Sequence, residues 1–144
     1  FNNIPLNERA SVVNKFKELL KEEGKIFDVK SLNLDELFDG NFLARESILV
    51  EGYSLIHNKP FSEILGFKSY VLFSYKLINL NHNEKTKFTY SLIGRKDNKG
   101  ILKEINAKPV GRGAVLIPVA NSSIFEEFLE KWKIKYQSMK ILAT

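Results

Sequence analysis

The apolar positions of residues 7–23 recur at helical spacing, with Val12, Val13, Phe16, Leu19 and Leu20 falling on one face. Asn7 is placed to cap that helix and Gly24 to end it. Residues 31–39 predict a short second helix, with Ser31 or Asn33 as its cap. Residues 41–57 fit two patterns. Phe42, Leu43, Ile48, Leu49, Tyr53 and Ile56 suit a helix, whereas SILVEGYSLI suits a strand broken at Gly52. PFSEILG, residues 60–66, predicts one helical turn opened by Pro60 and closed by Gly66.

The pattern changes at Phe67. KSYVLFSYKLIN, residues 68–79, is rich in aromatic and β-branched residues with apolar side chains on both faces, which predicts a central strand. NHNEK, residues 81–85, has turn chemistry, and KFTYSLIGR, residues 87–95, predicts the returning strand. Short turns then lead to strands at 101–106 and 114–119. Four strands on short connections predict an antiparallel meander. Ser123 and Glu126 have capping-box spacing, and Ile124, Phe125, Phe128, Leu129, Trp132, Tyr136 and Met139 continue along one side of a C-terminal helix. The expected class is α+β: a four-stranded antiparallel β-meander flanked by N-terminal helices and a C-terminal amphipathic helix.

Composition narrows the picture. A chain of 144 residues that is 44% hydrophobic and 27% charged has the size and balance of one globular domain over 1–144. Cysteine is absent, which fits a reducing, intracellular setting, cytoplasmic or nucleoid-associated, and no apolar run approaches 18 residues, so no membrane partner is expected. The initial Phe suggests that a leading segment has been trimmed or left out. Charge divides the chain more sharply than composition does. Residues 1–66, the mainly helical part, hold 8 Lys and Arg against 11 Asp and Glu, while residues 67–144 hold 14 against 6. GRKDNKGILKEINAKPVGRG, residues 94–113, alone has six basic side chains and two acidic ones. A basic half beside an acidic half points to a polyanionic partner.

Catalytic chemistry finds little support in the residues. His57 and His82 lie far apart without a further His or Cys at ligand spacing, so no metal site or cofactor is expected. Gly111-Arg112-Gly113 leads into the apolar run AVLIPV, a strand, and no Gly-Lys-Ser/Thr follows, unlike phosphate loops that open a helix. Asp97 and Glu104 lack the spacing of a metal-dependent nuclease, and no serine has a nucleophile-elbow context. No catalytic residue is assigned.

Aromatics and basic turns within one 50-residue stretch are what single strands require: rings on which bases stack and cations that follow the backbone. The candidate binding residues are Phe73, Tyr75, Lys76, Phe88, Tyr90, Arg95, Lys96, Lys99, Lys103, Lys108 and Arg112. The competing arrangement packs the aromatics against the N-terminal helices and leaves only the charges exposed. Strand, basic hairpin, strand, GRGAVLI and a capped amphipathic helix, over about residues 70–136, together resemble the positive-coactivator-type (Whirly-like) single-stranded-DNA-binding family. That resemblance implies a single strand held across a curved sheet by a helix-joined dimer. The matching positions would be Phe88, Tyr90, Arg95, Lys96, Lys99, Lys103 and Arg112.

Two other readings remain open from the residues. One is a winged-helix duplex-DNA regulator, with helices at 7–23, 31–39 and 41–57 and a wing at 68–95. The other is a protein-interaction or structural module with an incidental basic face. The seam Phe125, Phe128, Trp132, Met139 and Leu142 further suggests a homodimer through the C-terminal helix.

Overall fold

A computed structural model describes residues 4–96 and 98–144. It divides into two compact units, 1–45 and 46–144. The boundary falls well before Phe67, where the sequence changes character.

The first unit contains α1 (Leu6–Glu22) and α2 (Leu34–Phe38). Pro5, not Asn7, occupies the cap position of α1, and its side chain makes no capping bond. The α2 cap is built as the sequence suggests: Asn33 Oδ1 accepts from the Glu36 amide, and the Glu36 carboxylate accepts from the Asn33 amide. The same carboxylate holds Arg9 of α1 through two bonds of 2.9 and 3.0 Å. The Arg9 guanidinium, followed by the Asn33 amide, pulls the Glu36 carboxyl below its ordinary range.

α3 (Arg45–Glu51) straddles the start of the second unit and makes the middle of the ambiguous stretch 41–57 helix, with a short strand after it. A two-strand ribbon follows, β1 (Tyr53–Ser54) with β2 (Lys59–Pro60), and then α4 (Phe61–Ile64), a single turn between Pro60 and Gly66 as its sequence implies. The rest runs β3 (Lys68–Tyr75), α5 (His82–Ile93), β4 (Gly94–Arg95), β5 (Asn98–Lys99), α6 (Ile101–Glu104), β6 (Lys108–Gly111), β7 (Ala114–Pro118), a 3-10 turn (Val119–Asn121), α7 (Ser122–Lys131) and β8 (Tyr136–Ala143).

The sheet has four antiparallel strands, as expected, but their order is β6-β7-β3-β8, which is not a meander. β7 separates β3 from β6, so those two run parallel, joined through α5 and α6. β3 likewise separates β7 from β8, joined through α7. Two interleaved split β-α-β units result, the connectivity of ferredoxin-like folds.

Three sequence expectations fail for definable reasons. Residues 87–93 are helix, and only Gly94–Arg95 are strand, because Asn81 and Glu84 close a capping box that starts α5 inside the supposed turn. Phe88 and Leu92 are four residues apart and share the buried face of that helix. Thr86, Thr89 and Ser91, which favour strand, instead donate their hydroxyls to carbonyls four residues back.

Residues 101–106 also fail as a strand. α6 is one turn, and Asn106 ends it in a left-handed conformation (φ 55°) while the Ala107 amide bonds the Leu102 carbonyl. Finally, the C-terminal helix stops at Lys131. Lys133 turns left-handed (φ 53°), Ile134 donates to the Leu129 carbonyl, and the buried Ile134 side chain locks the turn. Tyr136–Ala143 then pair with β3 over its whole length. Ser123 makes no capping bond, since α7 begins one residue earlier with Asn121 at its cap.

The core lies between one sheet face and α5, α6 and α7. Val71, Phe73 and Tyr75 of β3 and Val115 and Ile117 of β7 meet Phe88, Leu92, Leu102, Phe125 and Leu129. Phe73 packs edge-on against Phe125 at 5.2 Å, and Phe88 against Trp132 at 5.5 Å. No helix among the described residues is long and apolar enough to cross a membrane.

Two outcomes test these elements. Asn81→Ala removes the side-chain half of the α5 box and should cost about 1 kcal/mol in urea unfolding. The Glu36 carboxyl has a depressed pKa when folded, so its contribution is complete above the ordinary glutamate range and is lost as pH falls through the depressed value. Thermal unfolding followed on the acid side should therefore show a steeper loss for the native chain than for Glu36→Gln.

Candidate nucleic-acid interface

Three adjacent strands bring their ends together at one edge of the sheet. The C-terminal residue of β3, Tyr75, pairs with Tyr136 at the start of β8, and Ser74 pairs with Gln137 and with Ala114 at the start of β7. Residues just outside this register must therefore meet. They are Lys76 after β3, Arg112 before β7 and Lys135 before β8. Lys85, one turn into α5, joins them.

These four cations line two adjoining depressions. One, of about 540 Å³, has Lys76, Lys85 and Arg112 on its wall. The other, of about 590 Å³, has Lys76, Arg112 and Lys135. Tyr75, Ile78 and Gly113 belong to both, so the two share a partition, and Leu77 and Tyr136 add apolar surface. Among the described residues no carboxylate and no histidine lines either. All four cations are exposed, and none forms an ion pair among the described residues. Among the described residues no ion pair neutralises them, so they can attract anions, although Glu126 and Glu130 bring negative charge near Tyr136. Tyr136 bounds the second depression; partial burial, then the charges of Glu126 and Glu130, push its phenol above the ordinary range, so it stays a neutral hydrogen-bonding group.

Gly113 makes the shared partition possible. Its φ is +74°, its carbonyl accepts from the Tyr75 amide at 2.8 Å, and a Cβ there would collide with the Tyr75 carbonyl. Only glycine lets the Gly111-Arg112-Gly113 turn lie this close to β3. The two glycines of the sequence motif thus serve a tight strand-to-strand turn that presents Arg112.

The residues expected from sequence divide into groups. Phe73, Tyr75 and Phe88 face the core, with Phe73 wholly buried and Phe88 1% exposed, so they offer no stacking platform. Tyr75 still borders the basin at its edge. Tyr90 lies on the outer side of α5, where the Arg95 guanidinium covers its ring at 4.7 Å. Arg95 and Lys99 flank the small β4–β5 hairpin, with Lys96 in its turn, and Lys103 is exposed on α6; none of these lines the basin. Lys108 on β6 holds its ammonium 5.7 Å over the Tyr70 ring. Of the expected set, the fold gathers Lys76 and Arg112 in the basin, with the buried Tyr75 and Phe88 in its wall.

Lys85, Lys135, Tyr136 and Gln137 escaped the sequence reading. Recognising Asn81-x-x-Glu84 as a helix start would have placed Lys85. Nothing in KWKIKY signals that the helix ends there. The dimer seam also dissolves, because Met139 and Leu142 belong to β8 and not to a helix shared with Phe125 and Trp132. The 68–95 hairpin required for a wing does not form, since β3 is followed by α5. Among the described residues no group of three His, Asp or Glu side chains is placed to hold a metal.

Gly113→Ala should destabilise the chain by about 1–3 kcal/mol through left-handed strain and the collision with β3. Chemical denaturation measures the loss, and Gly111→Ala, where a Cβ would meet only the Ala114 Cβ at 3.9 Å, should cost clearly less. No protein-family model, curated protein or solved structure matches the chain.

Proposed function

We propose that the chain is a non-enzymatic nucleic-acid-binding protein that prefers single strands and holds them in the basin at the end of β3. The observation that supports this is the convergence of Lys76, Lys85, Arg112 and Lys135 around two depressions with apolar walls and, among the described residues, no acidic lining. A duplex shows a protein mainly phosphates unless its grooves are entered. A single strand shows phosphates and bases together, and the basin offers a counterpart for each: cations on the rim, and Tyr75, Leu77, Ile78 and Tyr136 within. The contacts differ from those expected of strand aromatics, because Phe73, Tyr75 and Phe88 went into the core. The Arg95–Lys99 hairpin supplies further positive charge outside the basin and contributes long-range attraction.

Fluorescence anisotropy with labelled poly-dT, poly-U and duplex DNA tests the proposal. Single strands should bind at least about tenfold tighter than duplex of equal length, since only they bring unpaired bases to the apolar wall. Replacing Lys76, Lys85, Arg112 and Lys135 together with Ala should weaken binding and flatten the plot of log K against log[salt] by roughly 0.7 per lost phosphate contact. The same replacement of Arg95, Lys96, Lys99 and Lys103 should have the smaller effect. Equal affinity for duplex, or an unchanged salt slope in the basin variant, would falsify the reading.

A further inference from the structure

At the opposite end of β3, a half-open recess of about 350 Å³ lies between α3, α4 and the start of the strand. Its volume lies at the small end of ligand pockets; Val50, Pro60, Tyr70, Pro118 and Val119 give it mainly apolar walls, and Glu51, Glu63 and Lys68 line it as well. Two residues that line it, Ser62 and Ser69, have buried hydroxyls with no hydrogen-bond partner among the described residues. Ser62 is 1% exposed. An unpaired buried hydroxyl carries a desolvation cost that a fold ordinarily avoids, and two beside one recess mark a place where polar partners are missing.

The sheet connects this recess to the basic basin. On the face away from the core, Tyr70, Leu72 and Ser74 follow one another along β3, and pairing sets Leu116 and Met139 on either side of Leu72. Lys108 pairs with Leu116 and reaches back over Tyr70. Met139 is 65% exposed, and Leu72 and Leu116 are partly open. Tyr70 lines the recess and Ser74 the basin. Four residues of extended strand separate them, about 14 Å at roughly 3.4 Å each, which equals about four stacked nucleotide steps.

We infer that the recess accepts an unstacked nucleobase from the strand whose phosphates occupy the basin, with the Ser62 and Ser69 hydroxyls bonding its edge. This rests on the single-strand reading above. Hydroxyls donate and accept, so they suit the mixed donors and acceptors of a base edge, and the apolar walls take its faces. The apolar face between the two sites carries the intervening bases, with Lys108 beside the chain of phosphates.

Amide chemical-shift titration with free thymidine and adenosine separates this inference from the reading it rests on. Nucleosides carry no phosphate, so they should shift amides around residues 50–53, 62–70 and 118–120 in the native chain. They should do the same in the variant with Lys76, Lys85, Arg112 and Lys135 replaced by Ala. Ser62→Ala with Ser69→Ala should weaken nucleoside and poly-dT binding roughly tenfold, the loss expected for two hydrogen bonds. The melting temperature should stay level or rise, because neither hydroxyl has a partner in the free protein. A recess silent to both nucleosides, or serine variants that bind poly-dT as the native chain does, overturns the inference while the basin reading stands. Nucleoside shifts at the recess in a chain that binds no poly-dT overturn the shared strand while the base site stands.

Discussion

Residues 46–144 are organised by the hydrogen bonding of β3 along both of its edges. β7 takes one edge from Tyr70 to Ser74, and β8 takes the other from Lys68 to Tyr75. A strand in that position has no free edge, so its apolar residues decide which face each neighbour buries. Phe73 is the pivot. Wholly buried at the centre of the strand, it meets Phe125 and Tyr136 and so ties α7 and β8 to the same few ångströms of sheet. The aromatic cluster continues through Tyr75, Phe88, Phe128 and Trp132, which brings α5 under the same face. Shifting β3 by one residue would turn this cluster toward solvent.

The same constraint explains why positive charge collects where it does. Lys76, Arg112 and Lys135 are far apart along the chain and share no local motif. Antiparallel register alone makes them neighbours, since each lies just beyond a paired end of its strand. Like charges held this close repel, and a fold keeps such an arrangement at some cost in stability unless an anion relieves it. The core thereby takes most of its aromatics into packing, and in the function proposed here recognition falls to the cations and the partly open sheet face.

Much of the class was legible in the sequence, including helices in the first unit, β3 as a central strand, β7, the turn at Pro60 and the single sheet's antiparallel sense. What was hidden has physical causes. Phe88, Tyr90 and Leu92 satisfy a period of two, yet Phe88 and Leu92 also satisfy a helical turn, and the arbiter was an Asn-x-x-Glu box that resembled a turn. Asn106 and Lys133 end their helices in left-handed conformations without glycine, so neither stop was marked. Missing the second stop concealed β8, which in turn concealed half of the basin. The basic character of 67–144 survived every such error, because charge does not depend on which element carries it. Its focus did depend on topology: Arg112 was found, Lys85 and Lys135 were not, and Arg95 to Lys103 lie outside the depressions.

The most direct measurement is a map of where a strand touches the protein. Photo-cross-linking of bromouracil-substituted single strands, followed by peptide mass spectrometry, gives contacts residue by residue. Cross-links concentrated at Tyr75–Ile78, Arg112–Gly113 and Lys135–Gln137 are expected if the basin holds the strand. Cross-links confined to the Arg95–Lys99 hairpin and α6, with none at the end of β3, would contradict it.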